Sequence, residues 1–571
     1  MTQELTLSIV GSGGDGAVAA GDILVMACAS EGLNVIKTEA YGPQIRGGES
    51  SCTVRISSVP IYAQADAIDA LVVFNWADFA RFANELTPAK DAVIFHEEKD
   101  APPAGLAATF IPVPFATAAR EAGAPNGKNI LALGILSAAF GLPAEPIRSA
   151  IRGRFGKKAA AIVEGNLKAF DSGIEIGTRI AKSVKKFKYE KSSPKLMMSG
   201  NEASAVAAID AGCRFFAGYP ITPSSEILHF LAEWLPKIGG SSLQTEDELA
   251  AIGAVVGASF AGVKSMTATS GPGLSLMAEM LGLASMAEVP AVIVNVQRGG
   301  PSTGIPTKSE QSDLLHAVFA SHGDTPRAVI APSDVEESYH ATVDAFNIAE
   351  EFQMPVIVLS DQSIAQRRET ISGDALQHEV IDRRLATPDE LNEFKRYRIT
   401  DNGVSPMSVP GMKNGEYQTN GLEHDEFGRP SSMFTTHEKM NDKRYRKLEA
   451  LASKYRLFRR YGPAKADLGI ICWGSTTGPV REALERLNVG DLRVAAFVPQ
   501  MIMPLPKKDI EEFIASCQEL LVLELSHSAQ FYQYLRTQVD LPKKTRVYAR
   551  SGGKALGVSE IIEQCVSEVL A

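Results

Sequence analysis

Thr267-Ala-Thr-Ser-Gly-Pro-Gly273 and Gln244-Thr-Glu-Asp-Glu248 decide the fold, because each of them leads into an Ala- or Gly-rich stretch of helical character. The first overlaps the short stretch Ser-Met-Thr-Ala-Thr at residues 265–269, which predicts a strand. The second precedes a predicted helix at residues 249–261. Strand, polar turn and helix in repeated order are typical of parallel strands covered by helices. We therefore predict a doubly wound α/β domain with polar turns after its strands.

The same alternation extends in both directions along the chain. Upstream, a predicted strand at residues 5–10, the turn Gly11-Ser-Gly-Gly-Asp-Gly16 and a helix at residues 17–29 open another α/β domain. Length alone predicts three or four domains, at roughly 100–200 residues each. We predict an α/β domain at residues 1–182, a basic linker at 183–195, the central α/β domain at 196–372, an extended segment at 373–460 that wraps over other domains or a partner, and a third α/β domain at 461–571.

The composition is that of a globular protein, with 45% hydrophobic and 22% charged residues. The formal net charge of −10 argues against general nucleic-acid binding, although lysines cluster at residues 182–195. No apolar run reaches the roughly 18 residues that a membrane helix needs, and the chain starts without the segments of a secretory signal. We expect a cytoplasmic protein that binds neither nucleic acid nor membranes.

The six cysteines stand alone, without a C-x-x-C pair and without histidines at metal-ligand spacing. We predict that this chain holds no metal and no iron–sulfur cluster of its own. Single cysteines in a reducing compartment usually act as small buried hydrophobes.

Two turns in the first domain have a plain and a functional interpretation. The Gly11–Gly16 turn lies between a strand and a helix, as phosphate loops do, but it lacks the spacing of a dinucleotide or Walker A loop. It is a tight turn, or a contact surface for a partner or coenzyme A. In Tyr41-Gly-Pro-Gln-Ile-Arg-Gly-Gly-Glu-Ser50, Arg46 stands beside two glycines. It either receives an acidic group or braces its own turn.

Gly218-Tyr-Pro-Ile-Thr-Pro-Ser-Ser225 follows a predicted strand at residues 215–217 and precedes a helix. Its two prolines restrict the backbone around Thr222. Plain helix capping by Thr222 or Ser224 explains one hydroxyl but not the doubled proline. The acids at residues 244–248 would, in the corresponding plain interpretation, complement a helix dipole.

Together these motifs resemble a known family. An acid on one turn and T-S-G-P-G on the next resemble the pyrimidine-binding domain of thiamine diphosphate enzymes. With Tyr-Pro-Ile-Thr-Pro-Ser at 219–224 and Val-Gln-Arg-Gly-Gly-Pro-Ser-Thr-Gly-Ile-Pro-Thr at 296–307, they are similar to the α subunit of two-subunit 2-oxoacid:ferredoxin oxidoreductases, 2-oxoglutarate type. The first domain resembles that family's γ domain, fused ahead of α. The resemblance implies a transketolase C-terminal-like third domain.

The resemblance also implies a cofactor site. In this chemistry a buried glutamate hydrogen-bonds the aminopyrimidine of thiamine diphosphate and helps to remove the thiazolium proton. The spacing to Gly257-Ala258 favours Glu248 over Glu246 for this role. Three further residues would contact the cofactor: Tyr219, Ser270 and Gly271.

For the substrate, the resemblance implies Thr222 and Arg298, with the arginine pairing with the carboxylate beside the ketone. Arg298 follows a predicted strand at residues 291–296, at the edge where open α/β sheets bind their ligands. Its plainer interpretation is a salt bridge to a partner chain. The distal carboxylate of 2-oxoglutarate needs a second group, which could come from Arg46, from Lys308 or from the absent subunit.

The family's Mg²⁺, diphosphate site and 4Fe–4S cluster lie on a smaller β subunit, so this chain is expected to be half of an (αβ)2 assembly that passes electrons to ferredoxin. The implied reaction converts 2-oxoglutarate and coenzyme A to succinyl-CoA and CO2. The reverse reaction, a CO2 fixation step of the reductive TCA cycle, is left open. Alternatives are a pyruvate or broad-specificity enzyme of the same class, a non-redox thiamine enzyme, or a nucleotide-binding scaffold supported only by the Gly11–Gly16 turn.

Overall fold

The computed structural model describes residues 2–42, 48–182, 184–490 and 492–566. The chain divides into two compact units. The first comprises residues 1–198, 367–375 and 557–559, and the second comprises the rest. No helix in the described part of the chain is long and apolar enough to cross a membrane.

The first unit is built on a mixed sheet of eight strands. The strand Glu4–Ser12 lies inside this sheet and pairs in parallel with Ile68–Val73 and antiparallel with Glu49–Ser57. The antiparallel pairing between Asn34–Tyr41 and Glu49–Ser57 was missed in the sequence, which shows a simple alternation of strands and helices. From edge to edge the strands are Thr109–Val113, Pro88–Glu97, Ile68–Val73, Glu4–Ser12, Glu49–Ser57, Asn34–Tyr41, Arg368–Ile371 and Leu196–Ser199.

Apolar residues form two core clusters around this sheet, and Phe79 and Phe82 belong to the smaller one. Through these clusters the sheet is covered by helices. They are Ala17–Ser30, Trp76–Phe82, Phe115–Glu121, Lys128–Phe140, Ala144–Phe155 and Ala160–Ile180. The lysine-rich residues 184–195 run along the same unit, where Lys191 pairs with Glu31 and the Lys188 N–H donates to the Thr2 carbonyl.

The second unit contains a seven-stranded sheet whose six central-domain strands are all parallel, as the turns predict. The seventh strand, Met501–Met503, joins one edge in antiparallel orientation. From edge to edge the strands are Met501–Met503, Ala328–Ile330, Pro355–Asp361, Ala291–Gln297, Ser265–Thr269, Phe215–Gly218 and Ser241–Gln244. The accompanying helices are Gly200–Asp210, Ser225–Trp234, the 3-10 turn Leu235–Ile238, Glu248–Phe260, Gly271–Met286, Leu314–Phe319, Val335–Phe352 and Gln362–Gln366.

A second sheet in this unit has five strands, parallel except at one edge. Its order is Phe458–Tyr461, Val494–Pro499, Ala466–Ile471, Cys517–Glu524 and Thr545–Ala549. The helices that follow its strands are Thr477–Leu487, preceded by the 3-10 turn Gly474–Thr476, then Lys507–Ala515, Gln530–Gln538 and Val558–Val566.

In the sequence between the strands Arg368–Ile371 and Phe458–Tyr461, the chain is mostly irregular, with 3-10 turns at Gly373–Leu376 and Glu390–Glu393. The helix Phe434–Lys454 is the exception, and the expectation of an extended segment is wrong there. Its buried face carries three cationic residues among its six, so no apolar period marks it in the sequence: Met440, Lys443, Arg444, Lys447, Leu448 and Leu451.

Candidate functional site

Two polar turns meet at the carboxyl edge of the seven-stranded sheet. The strands Ser265–Thr269 and Ala291–Gln297 are parallel neighbours, and Thr269 lies opposite Asn295. The turns that follow them, at Ser270 and at Arg298, therefore emerge side by side. This is the edge at which open α/β sheets bind their ligands.

Glu248 is the first residue of the helix Glu248–Phe260, whose N-terminus is capped by Asp247 accepting the Ala250 N–H at 2.8 Å. Its side chain is only 5% exposed, whereas Glu246 is exposed. Among the described residues, the Glu248 carboxylate has no hydrogen-bond or ion-pair partner. A buried carboxylate without a partner is costly, so this one is available to a ligand.

Gly273 brings the two motifs into contact. A Cβ on Gly273 would lie 2.6 Å from Oε1 of Glu248 and 2.0 Å from Oγ1 of Thr269. Only glycine leaves room for the glutamate to pack against the T-S-G-P-G turn. The two sequence motifs therefore form one surface, with the acid lying on the last glycine of the turn.

Other polar atoms around this turn are also left without partners. Fully buried hydroxyl oxygens of Thr267 and Ser270, and Oδ1 of Asn295, accept or donate no hydrogen bond within the described part of the chain. Buried polar groups are normally paired, so a cluster of unpaired ones points to a bound ligand or water.

Arg298 is anchored to the neighbouring turn. Its side chain is 7% exposed, and Nη1 donates to the Thr222 carbonyl at 2.6 Å, while Nε is buried without a partner. Burial lowers the pKa of Arg298, and nearby Asp313 opposes that shift. The structure thus brings together Thr222 and Arg298, two residues that the sequence assigned to the substrate.

The turn that contains Thr222 is not a side-chain cap. The Ser224 hydroxyl donates to the Ile221 carbonyl at 3.0 Å, and the helix Ser225–Trp234 has no side-chain cap at its N-terminus. The capping interpretation of Thr222 and Ser224 is therefore wrong. Tyr219 follows the strand Phe215–Gly218 and is exposed, as is the Thr222 side chain.

Asp313 was missed in the sequence. Its backbone N–H donates to Oε1 of Gln297 at 3.0 Å, and its carboxylate accepts from Nδ2 of Asn295 at 3.0 Å while packing against Gly271. Burial raises the pKa of Asp313 despite the hydrogen bond from Asn295. The only signal was an acid just before the short helix Leu314–Phe319, which is indistinguishable from an ordinary helix start.

Residues 299–308 form a closed loop directly after Arg298. The Gly299 N–H donates to the Lys308 carbonyl at 2.9 Å, and the Ile305 N–H donates to the Gly299 carbonyl at 2.7 Å. Lys308 is half-buried at the end of the loop. Arg46, the other candidate for the distal carboxylate, lies outside the described residues.

Among the described residues, no three His, Cys, Asp or Glu side chains are grouped so that they could hold a metal ion. All six cysteines are free, and burial raises the pKa of Cys472 to about 12 and that of Cys565 to about 11.

Three family models match consecutive parts of the chain. Residues 6–176 match the pyruvate ferredoxin/flavodoxin oxidoreductase model, and residues 206–443 match the thiamine diphosphate-binding model of pyruvate flavodoxin/ferredoxin oxidoreductase. Residues 466–561 match core domain II of pyruvate:ferredoxin oxidoreductase. The turns that carry Thr222, Glu248, Ser270 and Arg298 all lie within the thiamine-binding match.

Characterised relatives match over long stretches. The 2-oxoglutarate synthase subunit KorA of Methanothermobacter marburgensis is 39% identical over 64% of this chain and 97% of its own length. The alpha subunit of 2-oxoacid:ferredoxin oxidoreductase 1 from Aeropyrum pernix is 30% identical over 93% of this chain and 92% of its own. The solved 2-oxoglutarate:ferredoxin oxidoreductase of Magnetococcus marinus, with 2-oxoglutarate, coenzyme A and succinyl-CoA bound, is 37% identical over the full length of both chains, with a TM-score of 0.95.

Proposed function

The chain belongs to the 2-oxoacid:ferredoxin oxidoreductases, as a subunit of such an enzyme, and from this premise we propose that it supplies the pyrimidine-side half of a thiamine diphosphate site that oxidises 2-oxoglutarate. Support for the substrate comes from relatives named 2-oxoglutarate synthase and from the ligands of the Magnetococcus enzyme. Support for the site comes from the residues at the carboxyl edge of the central sheet.

The observation that carries the proposal is the unpaired, buried carboxylate of Glu248 on the T-S-G-P-G turn. The residues around it fit the pyrimidine half of the cofactor, because unpaired polar atoms of Ser270 and Asn295 lie at the same sheet edge. Glu248 would exchange a proton with the pyrimidine ring, and Tyr219, Ser270 and Gly271 would line its binding surface. When bound, thiamine supplies the electron sink that decarboxylation of a 2-oxoacid needs.

Arg298 fits the carboxylate next to the ketone. Its side chain is held by the Thr222 carbonyl, and its unpaired Nε leaves a donor for an anion. A guanidinium that is already fixed in place loses little entropy when it binds a carboxylate. Thr222 would contact the same group through its exposed hydroxyl. Lys308 would receive the distal carboxylate of 2-oxoglutarate, with Arg46 or the partner chain as the alternative source.

The other half of the site would come from a smaller β subunit that carries the diphosphate site, Mg²⁺ and a 4Fe–4S cluster, in an (αβ)2 assembly. Electrons would leave singly to ferredoxin, and coenzyme A would take the succinyl group. The same residues would serve the reverse carboxylation, because a catalyst accelerates both directions of one reaction.

The test is to express the chain with and without a smaller cysteine-bearing partner, and to measure anaerobic reduction of a viologen dye with coenzyme A and a panel of 2-oxoacids. We expect activity only with the partner, and the highest kcat/KM with 2-oxoglutarate. Higher kcat/KM with pyruvate would favour the pyruvate alternative. Turnover by the chain alone would contradict the half-site proposal.

A further inference from the structure

Glu310 bridges two loops of the second unit. Its side chain is 8% exposed, Oε2 accepts the Gly300 N–H at 3.1 Å, and Oε1 accepts the Gly552 N–H at 2.9 Å. The first donor belongs to the loop 299–308, and the second to the turn after the strand Thr545–Ala549 of the five-stranded sheet. One buried carboxylate therefore ties the loop of one sheet to a turn of the other.

The turn at Gly552 is fitted closely to this carboxylate. A Cβ on Gly552 would lie 2.1 Å from the Ser309 carbonyl oxygen and 2.6 Å from Cβ of Glu310. The next residue, Gly553, donates its N–H to the same Ser309 carbonyl at 2.9 Å. Any side chain at position 552 would force the turn and residues 309–310 apart.

The two cationic groups assigned to the substrate are anchored differently. Arg298 is held directly by the Thr222 carbonyl. Lys308 is positioned by the closure of its loop, in which the Gly299 N–H donates to the Lys308 carbonyl, and Glu310 holds the adjacent Gly300. Loss of the Glu310 bridge should therefore disturb Lys308 more than Arg298.

We infer that Glu310 is a positioning residue that sets the substrate selectivity of the enzyme, by fixing the loop 299–308 so that it receives the distal carboxylate of a dicarboxylic 2-oxoacid. This inference rests on the proposed function of Arg298 and Lys308. All 2-oxoacids share the carboxylate next to the ketone, but only dicarboxylic ones need the group on this loop. Removal of the bridge should thus penalise 2-oxoglutarate more than a monocarboxylic analogue.

The test uses the complex reconstituted with its partner chain and compares 2-oxoglutarate with 2-oxobutyrate, as a substrate or, where its turnover is too slow, as a competitive inhibitor. In Glu310→Gln, one acceptor becomes an N–H2 donor that faces a backbone N–H. We expect the preference for 2-oxoglutarate to fall about tenfold, mainly through its KM, because misplaced binding groups cost one to two orders of magnitude. Gly552→Ala disrupts the same contact from the turn that contains Gly552, and it should lower the preference for 2-oxoglutarate similarly.

Glu524→Gln is the matched control. Glu524 is likewise buried and also accepts two backbone N–H groups, those of Phe531 and Tyr532 at 2.9 Å each, but both belong to the region of the five-stranded sheet. Glu524→Gln should leave the preference for 2-oxoglutarate unchanged. An equal fall for both acids in Glu310→Gln, or an unchanged preference in it, would overturn the inference. Failure of the wild-type complex to oxidise any 2-oxoacid would instead contradict the proposed function.

Discussion

Glu248 and Glu288 are both buried glutamates of the central domain, with 5% and 1% of their surface exposed, and their surroundings are opposite. Glu248 lies on the T-S-G-P-G turn and has no partner among the described residues. Glu288 lies beside the helix Phe434–Lys454, and its two oxygens accept from Nζ of Lys443 at 2.6 and 2.7 Å. Lys447 pairs with the same carboxylate.

The carboxylate of Glu288 has its partners inside the protein, in two buried ammonium groups. Burial acts to raise the pKa of Glu288, but Lys443 and Lys447 overcome it and hold that pKa well below its usual range. Burial in turn lowers the pKa of Lys443 to about 7 against the attraction of Glu288. A buried acid with protein partners is satisfied within the fold, whereas a buried acid without them is a candidate for binding a ligand.

The largest expected effect is on catalysis at Glu248. Glu248→Gln keeps the shape of the side chain but cannot exchange a proton, so 2-oxoglutarate-dependent dye reduction by the complex should fall by about 10²–10⁴. The urea midpoint of the chain should not fall, because no protein partner is lost and a buried unpaired charge is removed. Near-normal dye reduction would show that Glu248 is not the catalytic acid.

The reverse pattern is expected at Glu288. Glu288→Gln leaves Lys443 and Lys447 buried without a counter-charge, which should lower the free energy of unfolding by about 3–5 kcal/mol. Urea unfolding followed by circular dichroism measures it. The control is a triple replacement of Glu288, Lys443 and Lys447 by Leu, Met and Met, which should recover most of the loss. An unchanged urea midpoint in Glu288→Gln would show that Glu288 and Glu248 do not differ in what they contribute to stability.

The contact between Glu248 and its turn can be broken from the other side. In Gly273→Ala the new methyl group meets Glu248 and Thr269. We expect a loss of stability of about 1–3 kcal/mol from overpacking, together with weaker thiamine diphosphate binding by calorimetry. Gly257→Ala is the control, because Gly257 lies in the same helix as Glu248 and its Cβ would meet nothing within 4 Å. An unaltered affinity for thiamine diphosphate in Gly273→Ala would show that binding does not depend on the contact between Glu248 and the T-S-G-P-G turn.

The smallest effect is expected at Glu524. Its buried carboxylate is intermediate between those of Glu248 and Glu288, because its partners are backbone N–H groups and not cations. Burial raises the pKa of Glu524 to about 7, although the N–H groups of Phe531 and Tyr532 oppose it. The folded state therefore binds more protons than the unfolded state between about pH 4.5 and 7, and this contribution to stability is lost as pH rises through that window. The slope is up to about 1.4 kcal/mol per pH unit. Urea midpoints across pH 5–7 should lose that slope in Glu524→Gln; an identical slope would contradict the assignment.

The strands expected at residues 215–217, 265–269 and 291–296 are confirmed, because polar or glycine-containing turns mark their ends, whereas Ser241–Gln244 and Ala328–Ile330 were not predicted. The family and the fold class predicted from these motifs are confirmed by relatives and family models. The helix Phe434–Lys454 was not predictable, since its buried face carries cations whose partner Glu288 lies 155 residues away in sequence.

Sequence motifs mark Thr222, Glu248 and Arg298 as candidate site residues, and their roles stay predictions. Glu310 and Asp313 were missed because they stand in the polar stretch Lys308-Ser-Glu-Gln-Ser-Asp313, which reads as solvated loop. Their function depends on partners at Gly300, Gly552 and Asn295, and only the fold brings these together.

A crystal structure of the chain reconstituted with its partner and thiamine diphosphate would show whether Glu248 contacts the aminopyrimidine. The measurement is the distance from the Glu248 carboxylate to the nearest ring nitrogen of the aminopyrimidine. We expect a hydrogen bond of about 2.6–3.2 Å. A Glu248 carboxylate paired with a cationic side chain of either subunit, with the pyrimidine bound elsewhere, would contradict it.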